Sequence, residues 1–364
     1  MTTPVTPVDN PSLPHRTWCL DGPNQPRLIE LGTWSQADGG DRILVASAYA
    51  GLCDTDAKIW RGTAANPLVR YPIILGHEWI GRVVKDAQRR FPPGEWVVVE
   101  GFTPCRHCRE CNRGHSNWCL SPAHSGITYD GGFAPWSWVP ASALHAVSPH
   151  HSPQAYIFVE PASSVIRAVD HLVDRRSRSV LVLGMGSVGR LAVLLLRDRL
   201  PQVTIMTYDP VATRSQWAGR YGAIAVESVE SEIADAVIEC SGTIDGFTAA
   251  LRAAQAQGVI ALEGVPERGE TAVVAPAMMH FKELTLFGIY SSTMQSFQES
   301  LDWVSRREAE LASMLEGPYG AADLPKLMER LASPDRRGKL YISWPSDINA
   351  EKVRQSLEDS VFGY

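Results

Sequence analysis

Four of the seven cysteines of this chain fall in one short stretch, PCRHCRECNRGHSNWC, with the spacing Cys-x2-Cys-x2-Cys-x7-Cys. They are Cys105, Cys108, Cys111 and Cys119. Thiolates so placed close around a single soft ion, and four of them complete the tetrahedral shell of zinc. An iron–sulfur cluster is the competing reading. The opening Cys-x2-Cys-x2-Cys suits it, but the last interval is too long for the usual run and no proline directly follows. A complete shell leaves no position for water or substrate, so the cluster reads as structural zinc. His107 and His115 read as solvated loop residues, because the thiolates already fill the shell.

A catalytic zinc needs about three protein ligands and an open position. Cys53 in AGLCDTDAKIW, His77 and Glu78 in YPIILGHEWIG, and Glu160 in YIFVEPASSV each follow an apolar run. Taken singly, each has a plain structural explanation: a buried thiol, a satisfied core histidine, an acid that ends a strand before proline. Spacing alone leaves them as candidates.

A third chemical signal is GMGSVG at 184–189, which fits G-x-G-x-x-G between an apolar strand, SVLVL, and a helix, RLAVLLLRDRL. In that context Gly184 permits the tight turn, Gly186 lets the backbone approach a pyrophosphate, and Gly189 allows close helix–strand packing. With Ser187 and Val188 these are the candidate cofactor contacts, the phosphate sitting at the positive end of the helix. Asp209 ends the next strand, where an acid accepts hydrogen bonds from the adenosine ribose. A carboxylate there repels a 2′-phosphate, which favours NAD over NADP, although Arg214 nearby could accommodate that phosphate in part.

The elements that must position these groups differ along the chain. Up to about residue 150 the sequence reads as short strands joined by Gly and Pro turns, RILVASAYAGLC and GEWVVVEGF among them. From about 165, strand-like runs alternate with helical segments: VTIMTYD, DAVIECSG, GVIALEGV and LTLFGIY. That alternation predicts a parallel, doubly wound sheet. The C-terminal part is helix-rich and includes the strand-like KLYISW.

At 364 residues the chain exceeds one ordinary hydrophobic core, so two domains are expected. With 45% hydrophobic and 20% charged residues and a net charge of -6, it reads as a soluble protein without a nucleic-acid surface. No apolar run approaches the roughly 18 residues that span a bilayer. The start, MTTPVTPVDNPSLPH, has no basic and apolar signal regions and reads as a disordered tail. A cytoplasmic, reducing setting is therefore expected, with the clustered cysteines as free ligands rather than disulfides. Cys19 and Cys240 read as core residues.

In their order, GHEWIG, CRHCRECNRGHSNWC, DGGFAPWSWVPASALH, EPAS and GMGSVG resemble the zinc-dependent medium-chain dehydrogenases, on the polyol and threonine dehydrogenase side. The resemblance runs from about residue 17 onward. It implies an α/β protein with a GroES-like, mostly β catalytic domain over 1–164 and 307–364, which carries a zinc lobe near 101–122. A Rossmann domain follows over 165–306. It further implies two zinc ions per chain: a catalytic one on Cys53, His77 and Glu160 with Glu78 beside it, and a structural one on the four-Cys lobe. Thr55 is implied as the hydroxyl that relays the substrate proton. The reaction implied is hydride transfer between a secondary alcohol and NAD, giving the ketone.

Relatives of this kind are homodimers or homotetramers, and LTLFGIY is a candidate pairing edge. Lys58 stands where relatives often carry a proton-passing histidine, and the stretch from Gly81 to Gly94 is shorter than usual. Trp79 after Gly-His-Glu also occurs in relatives that oxidise aminocyclitols in secondary metabolism. The alternatives are a zinc-independent NAD(P)H reductase of the same fold and a catalytically idle zinc or cofactor-binding relative. The idle form would hold one zinc.

Overall fold

The computed structural model describes residues 16–31, 41–175 and 177–344. The N-terminal tail expected above lies outside them. The chain divides into two compact units, one of residues up to Glu160 together with Leu301 onward, the other Pro161–Ser300.

The first unit is built on the strand Arg42–Gly51, RILVASAYAG, buried along nearly its whole length. It pairs antiparallel with Glu78–Lys85, Trp136–Pro140 and Lys339–Ser343, and the sheet continues through Trp96–Val99 to Leu144–Ala146. Gly51 lies opposite Glu78 on one side and Tyr341 on the other. Two of its partners, Glu78–Lys85 and Lys339–Ser343, thus meet at the spot where Arg42–Gly51 hands over to the helix Asp54–Arg61. Ile43, Leu44, Val45, Ile74, Trp79, Val83 and Leu340 form the core beneath it. A separate two-stranded ribbon pairs Phe102–Thr103 with Ala123–His124.

The second unit has a six-stranded, wholly parallel sheet. Its spatial order is Ile224–Ala225, Thr204–Tyr208, Ser179–Leu183, Ala234–Glu239, Ala254–Leu262 and Thr285–Gly288. In units of chain order this is 3-2-1-4-5-6, the doubly wound dinucleotide-binding arrangement. Val180, Leu181, Val182, Ile205, Val237, Ile238 and Ile260 are all buried, as strands covered on both faces require. LTLFGIY supplies the edge strand Thr285–Gly288. No helix among the described residues is long and apolar enough to cross a membrane.

Candidate functional site

Cys53 caps the helix Asp54–Arg61 immediately after the central strand of the first unit. Its backbone N–H donates to Asp56 Oδ2 at 2.9 Å, which fixes the corner. Asp56 is wholly buried, and its other oxygen lies 3.2 Å from His77 Nδ1 and accepts the Gly76 N–H at 3.4 Å. The carboxylate thereby orients the imidazole and leaves its other nitrogen for a ligand. Burial pushes the His77 pKa down, but the Asp56 charge outweighs it and holds the pKa well above the ordinary histidine range. The ligand atoms of Cys53, His77 and Glu78 all lie within 4.8 Å of one another.

Glu78 and Lys339 form an ion pair, each side chain being almost fully buried. Lys339 Nζ also donates to the Leu52 carbonyl at 3.3 Å. Burial lowers the Lys339 pKa, and the nearby Glu78 and Cys53 charges more than restore it. Glu160, at the start of the helix Val159–Asp174, lies outside the tight triangle but close by: a Cβ on Gly101 would sit 3.0 Å from its Cγ and 2.8 Å from the His77 carbonyl. Burial lifts the Glu160 carboxyl to about 7, His77 pulls it down and Glu78 pushes it further up. The structure thus gathers Glu78, rather than Glu160, with Cys53 and His77. Soft sulfur, imidazole nitrogen and carboxylate oxygen in one buried group form a donor set that fits zinc.

Thr55 and Lys58 are half-buried on the helix that Cys53 caps. Trp79 is 1% exposed and its Nε1 donates to Ser125 Oγ at 3.0 Å, so it packs the core behind the site. His124 is buried with its ring edge-on to His77, centroids 6.3 Å apart, and to Phe102 at 5.3 Å. Burial, reinforced by His77, drives its pKa down to about 3, which keeps the ring neutral.

Cys105, Cys108, Cys111 and Cys119 also bring their sulfurs within 4.8 Å of one another. The Cys105 and Ser121 amides donate to Cys119 Sγ at 3.1 and 3.4 Å. The backbone amide of Leu120, then that of Cys111, holds the Cys108 thiol down, whereas burial pushes Cys111 up. The lobe's apolar cluster consists of Phe102 and the cysteines themselves. So small a core needs an ion to close it, and four convergent sulfurs fit zinc. His107 and His115 are exposed.

In the second unit Gly184 has φ +85°, and a Cβ on Gly189 would lie 2.0 Å from the Gly184 carbonyl, so both positions demand glycine. Gly186 caps the helix Ser187–Arg199, whose first turn includes Ser187 and Val188 and presents unsatisfied N–H groups. Asp209 accepts from the Met185 N–H at 2.8 Å and the Val211 N–H at 2.9 Å, and Arg214 stands 3.9 Å from it. The acid therefore braces the turn. This cradle fits a dinucleotide. Cys240 is half-buried nearby, its thiol raised by burial and by Glu263 and Glu239, while Cys19 is a core residue of the first unit.

Asp56 and Lys339 are the functional residues that sequence reasoning missed. Asp56 has a local trace, two acids close behind Cys53 in CDTD. Lys339 has none, because it opens an apolar strand 287 residues from its partner Leu52.

Residues 39–149 match the model of the alcohol dehydrogenase GroES-like domain, and residues 154–316 match that of the glucose dehydrogenase C-terminus. A zinc-type alcohol dehydrogenase-like protein of Haemophilus influenzae is 27% identical over 331 residues, 86% of this chain and 94% of that protein. An L-threonine 3-dehydrogenase of Burkholderia multivorans is 26% identical over 321 residues, 84% of this chain and 93% of that protein. Among solved structures, a zinc-binding dehydrogenase of Sinorhizobium meliloti bound to NADP superposes with TM-score 0.79 at 25% identity, covering 90% of this chain and 98% of that one.

Proposed function

The chain belongs to the zinc-dependent medium-chain alcohol dehydrogenase family, and on that premise we propose that it interconverts a secondary alcohol and its ketone with NAD. The observation that carries the reading is the buried convergence of Cys53, His77 and Glu78, with Glu160 beside it. The substrate we infer is of the polyol, cyclitol or aminocyclitol type.

Cys53, His77 and Glu160, with Glu78 beside them, would hold a zinc ion that, when bound, would supply Lewis acidity toward an alcohol oxygen, and NAD would supply the hydride acceptor. The chain's own part is positioning. Asp56 fixes the His77 tautomer so that one nitrogen is free for the metal. Lys339 neutralises Glu78, which keeps a second carboxylate ready next to the ligand set without adding net charge to it. Thr55, one helix residue from the corner that Cys53 makes, takes the alcohol proton at its hydroxyl. Gly184, Gly186, Ser187, Val188 and Gly189 cradle the pyrophosphate. Asp209 engages the ribose and favours NAD over NADP, while Arg214 tempers that preference.

The second zinc belongs to the lobe, where the four thiolates close the loop. We place the enzyme in the cytoplasm, where those thiols stay reduced, as a homodimer or homotetramer paired through the edge Thr285–Gly288.

The test is a metal count on natively purified protein together with NADH formation over a panel of secondary alcohols. Two zinc ions per chain and turnover of a polyhydroxy member are expected. One zinc ion and no turnover of any panel member with NAD or NADP would sink the reading.

A further inference from the structure

At the Arg42 end of its central strand the first unit holds a cavity of about 280 Å³ that the machinery derived so far does not use. Cys53 follows the opposite end of that ten-residue strand, roughly 30 Å away along it. The register explains the walls. Trp136 and Trp138 stand opposite Ala46 and Leu44, so both indoles lie on one face of the sheet, the face that Arg42 shares. The buried Tyr129 and Ile74 continue this wall, and the exposed Arg42 and Arg70 complete the lining. Most of the polar groups here are already committed. Asp130 Oδ1 accepts the Ile74 N–H at 2.9 Å, and Ser137 Oγ donates to the Gly131 carbonyl at 2.8 Å. Thr128 Oγ1 accepts the His124 amide and donates to the His124 carbonyl. Arg42 gives one N–H to the Trp138 carbonyl at 2.9 Å and lies over the Tyr129 ring at 5.6 Å, which leaves most of its donors open. Burial raises the Asp130 pKa and the Arg42 charge opposes it, so Arg42 is partly offset. Arg70 is the open cation. Its backbone amide is anchored on the Ile127 carbonyl at 2.9 Å, and its guanidinium has no ion-pair partner among the described residues.

We propose that this cavity is an accessory binding site for a small organic anion, a carboxylate carried on a single flat ring, with the carboxylate on Arg70 and Arg42 and the ring against the indoles. What the cavity still offers a ligand is guanidinium donors beside aromatic and aliphatic walls, so the ligand must bring acceptors at one end and an apolar body at the other. A carboxylate takes guanidinium N–H groups in pairs, with a planar match that a single hydroxyl lacks. A planar body gains offset or edge-on contacts with Trp136, Trp138 and Tyr129. The volume lies just under the roughly 300–1,000 Å³ of small-molecule pockets, which holds the body to one ring and a short chain. A polyol fits less well, because the Ser137 and Thr128 hydroxyls are already spent. The ligand is thus no substrate of the Cys53–His77 group, and its binding is independent of the reaction assigned there.

Calorimetric titration of the zinc-loaded protein with benzoate and with phenylacetate tests the site, with benzamide and phenylacetamide as neutral probes of the same shapes. At least one of the two acids should bind with a Kd below about 1 mM, and its amide about tenfold or more weakly. R70Q changes an exposed side chain and should weaken the acid about tenfold while leaving the amide unmoved, and R70K should recover part of the loss. C53A separates this cavity from the proposed catalytic metal, which could itself capture a carboxylate. In C53A the acid should bind as in wild type. Binding that is lost in C53A, or kept at full strength in R70Q, overturns the site. Equal affinity for acid and amide overturns it too, as does a Kd above about 10 mM for both acids.

Discussion

Lys339 and Glu78 pair across the face of Gly51, from strands that flank it on either side. A Cβ at position 51 would lie 2.8 Å from both Glu78 Oε2 and Lys339 Cε, so the missing side chain makes room for the pair. Both charges are buried, and removing one leaves the other without compensation. K339M should therefore cost roughly 3–5 kcal/mol, read from urea denaturation of zinc-loaded protein. The double variant E78Q/K339M should lose clearly less than the two singles summed. A K339M protein within about 1 kcal/mol of wild type would show that solvent or a neighbouring group already satisfies Glu78.

Cys53 and Glu160 test the proposed catalytic metal directly. C53A and E160A should each abolish alcohol oxidation while NADH binding, followed by its fluorescence, persists, because the dinucleotide cradle lies in the other unit. In C53A the zinc content should fall from about two to about one per chain, the tetrahedral shell having lost its sulfur. Near-normal turnover in either variant removes that residue from the ligand set.

The four-cysteine lobe should behave differently. Among the described residues its apolar cluster is Phe102 and the cysteines, so C111S should lose the other zinc and open the lobe to protease. Limited proteolysis should then cut near residues 104–122, with the cofactor unit intact. An unchanged cleavage pattern alongside a full zinc count would mean that the lobe closes without its ion.

Asp86 sets a pH-dependent part of the stability. Burial pushes its carboxyl up, but the Arg90 guanidinium and the amides of Gln88, Arg90 and Phe91 outweigh that and hold it at about 2. The folded value lies below the unfolded one of about 3.9. The stabilisation is therefore complete at neutral pH and lost as pH falls through about 4 toward 2. D86N should cost on the order of 1–2 kcal/mol at pH 7, with the gap to wild type narrowing below about pH 4 and closing only near pH 2 in guanidinium melts. A gap that holds constant with pH would place the effect in packing rather than charge.

Much of this was legible in the residues. GMGSVG between SVLVL and a helix, with strand-like runs recurring behind it, already implied a doubly wound sheet, and the six strands stand in that order. The family followed from an ordered set of short motifs. Trp79 entered only through its resemblance to relatives that oxidise aminocyclitols; its indole is buried in the core and bonds Ser125.

By itself the sequence determined whatever depends on neighbours in the chain: the glycine turn, the four-sulfur spacing, and the alternation of strand and helix. Those signals are local because hydrogen-bonding periods and ligand reach span only a few residues. Tertiary structure alone decided which side chains face one another. It brought Glu78 rather than Glu160 into the triangle with Cys53 and His77, placed Asp56 behind the imidazole, and carried Lys339 across Gly51. Those meetings are set by strand register and burial. Both are properties of the packed sheet, and no run of adjacent residues encodes them.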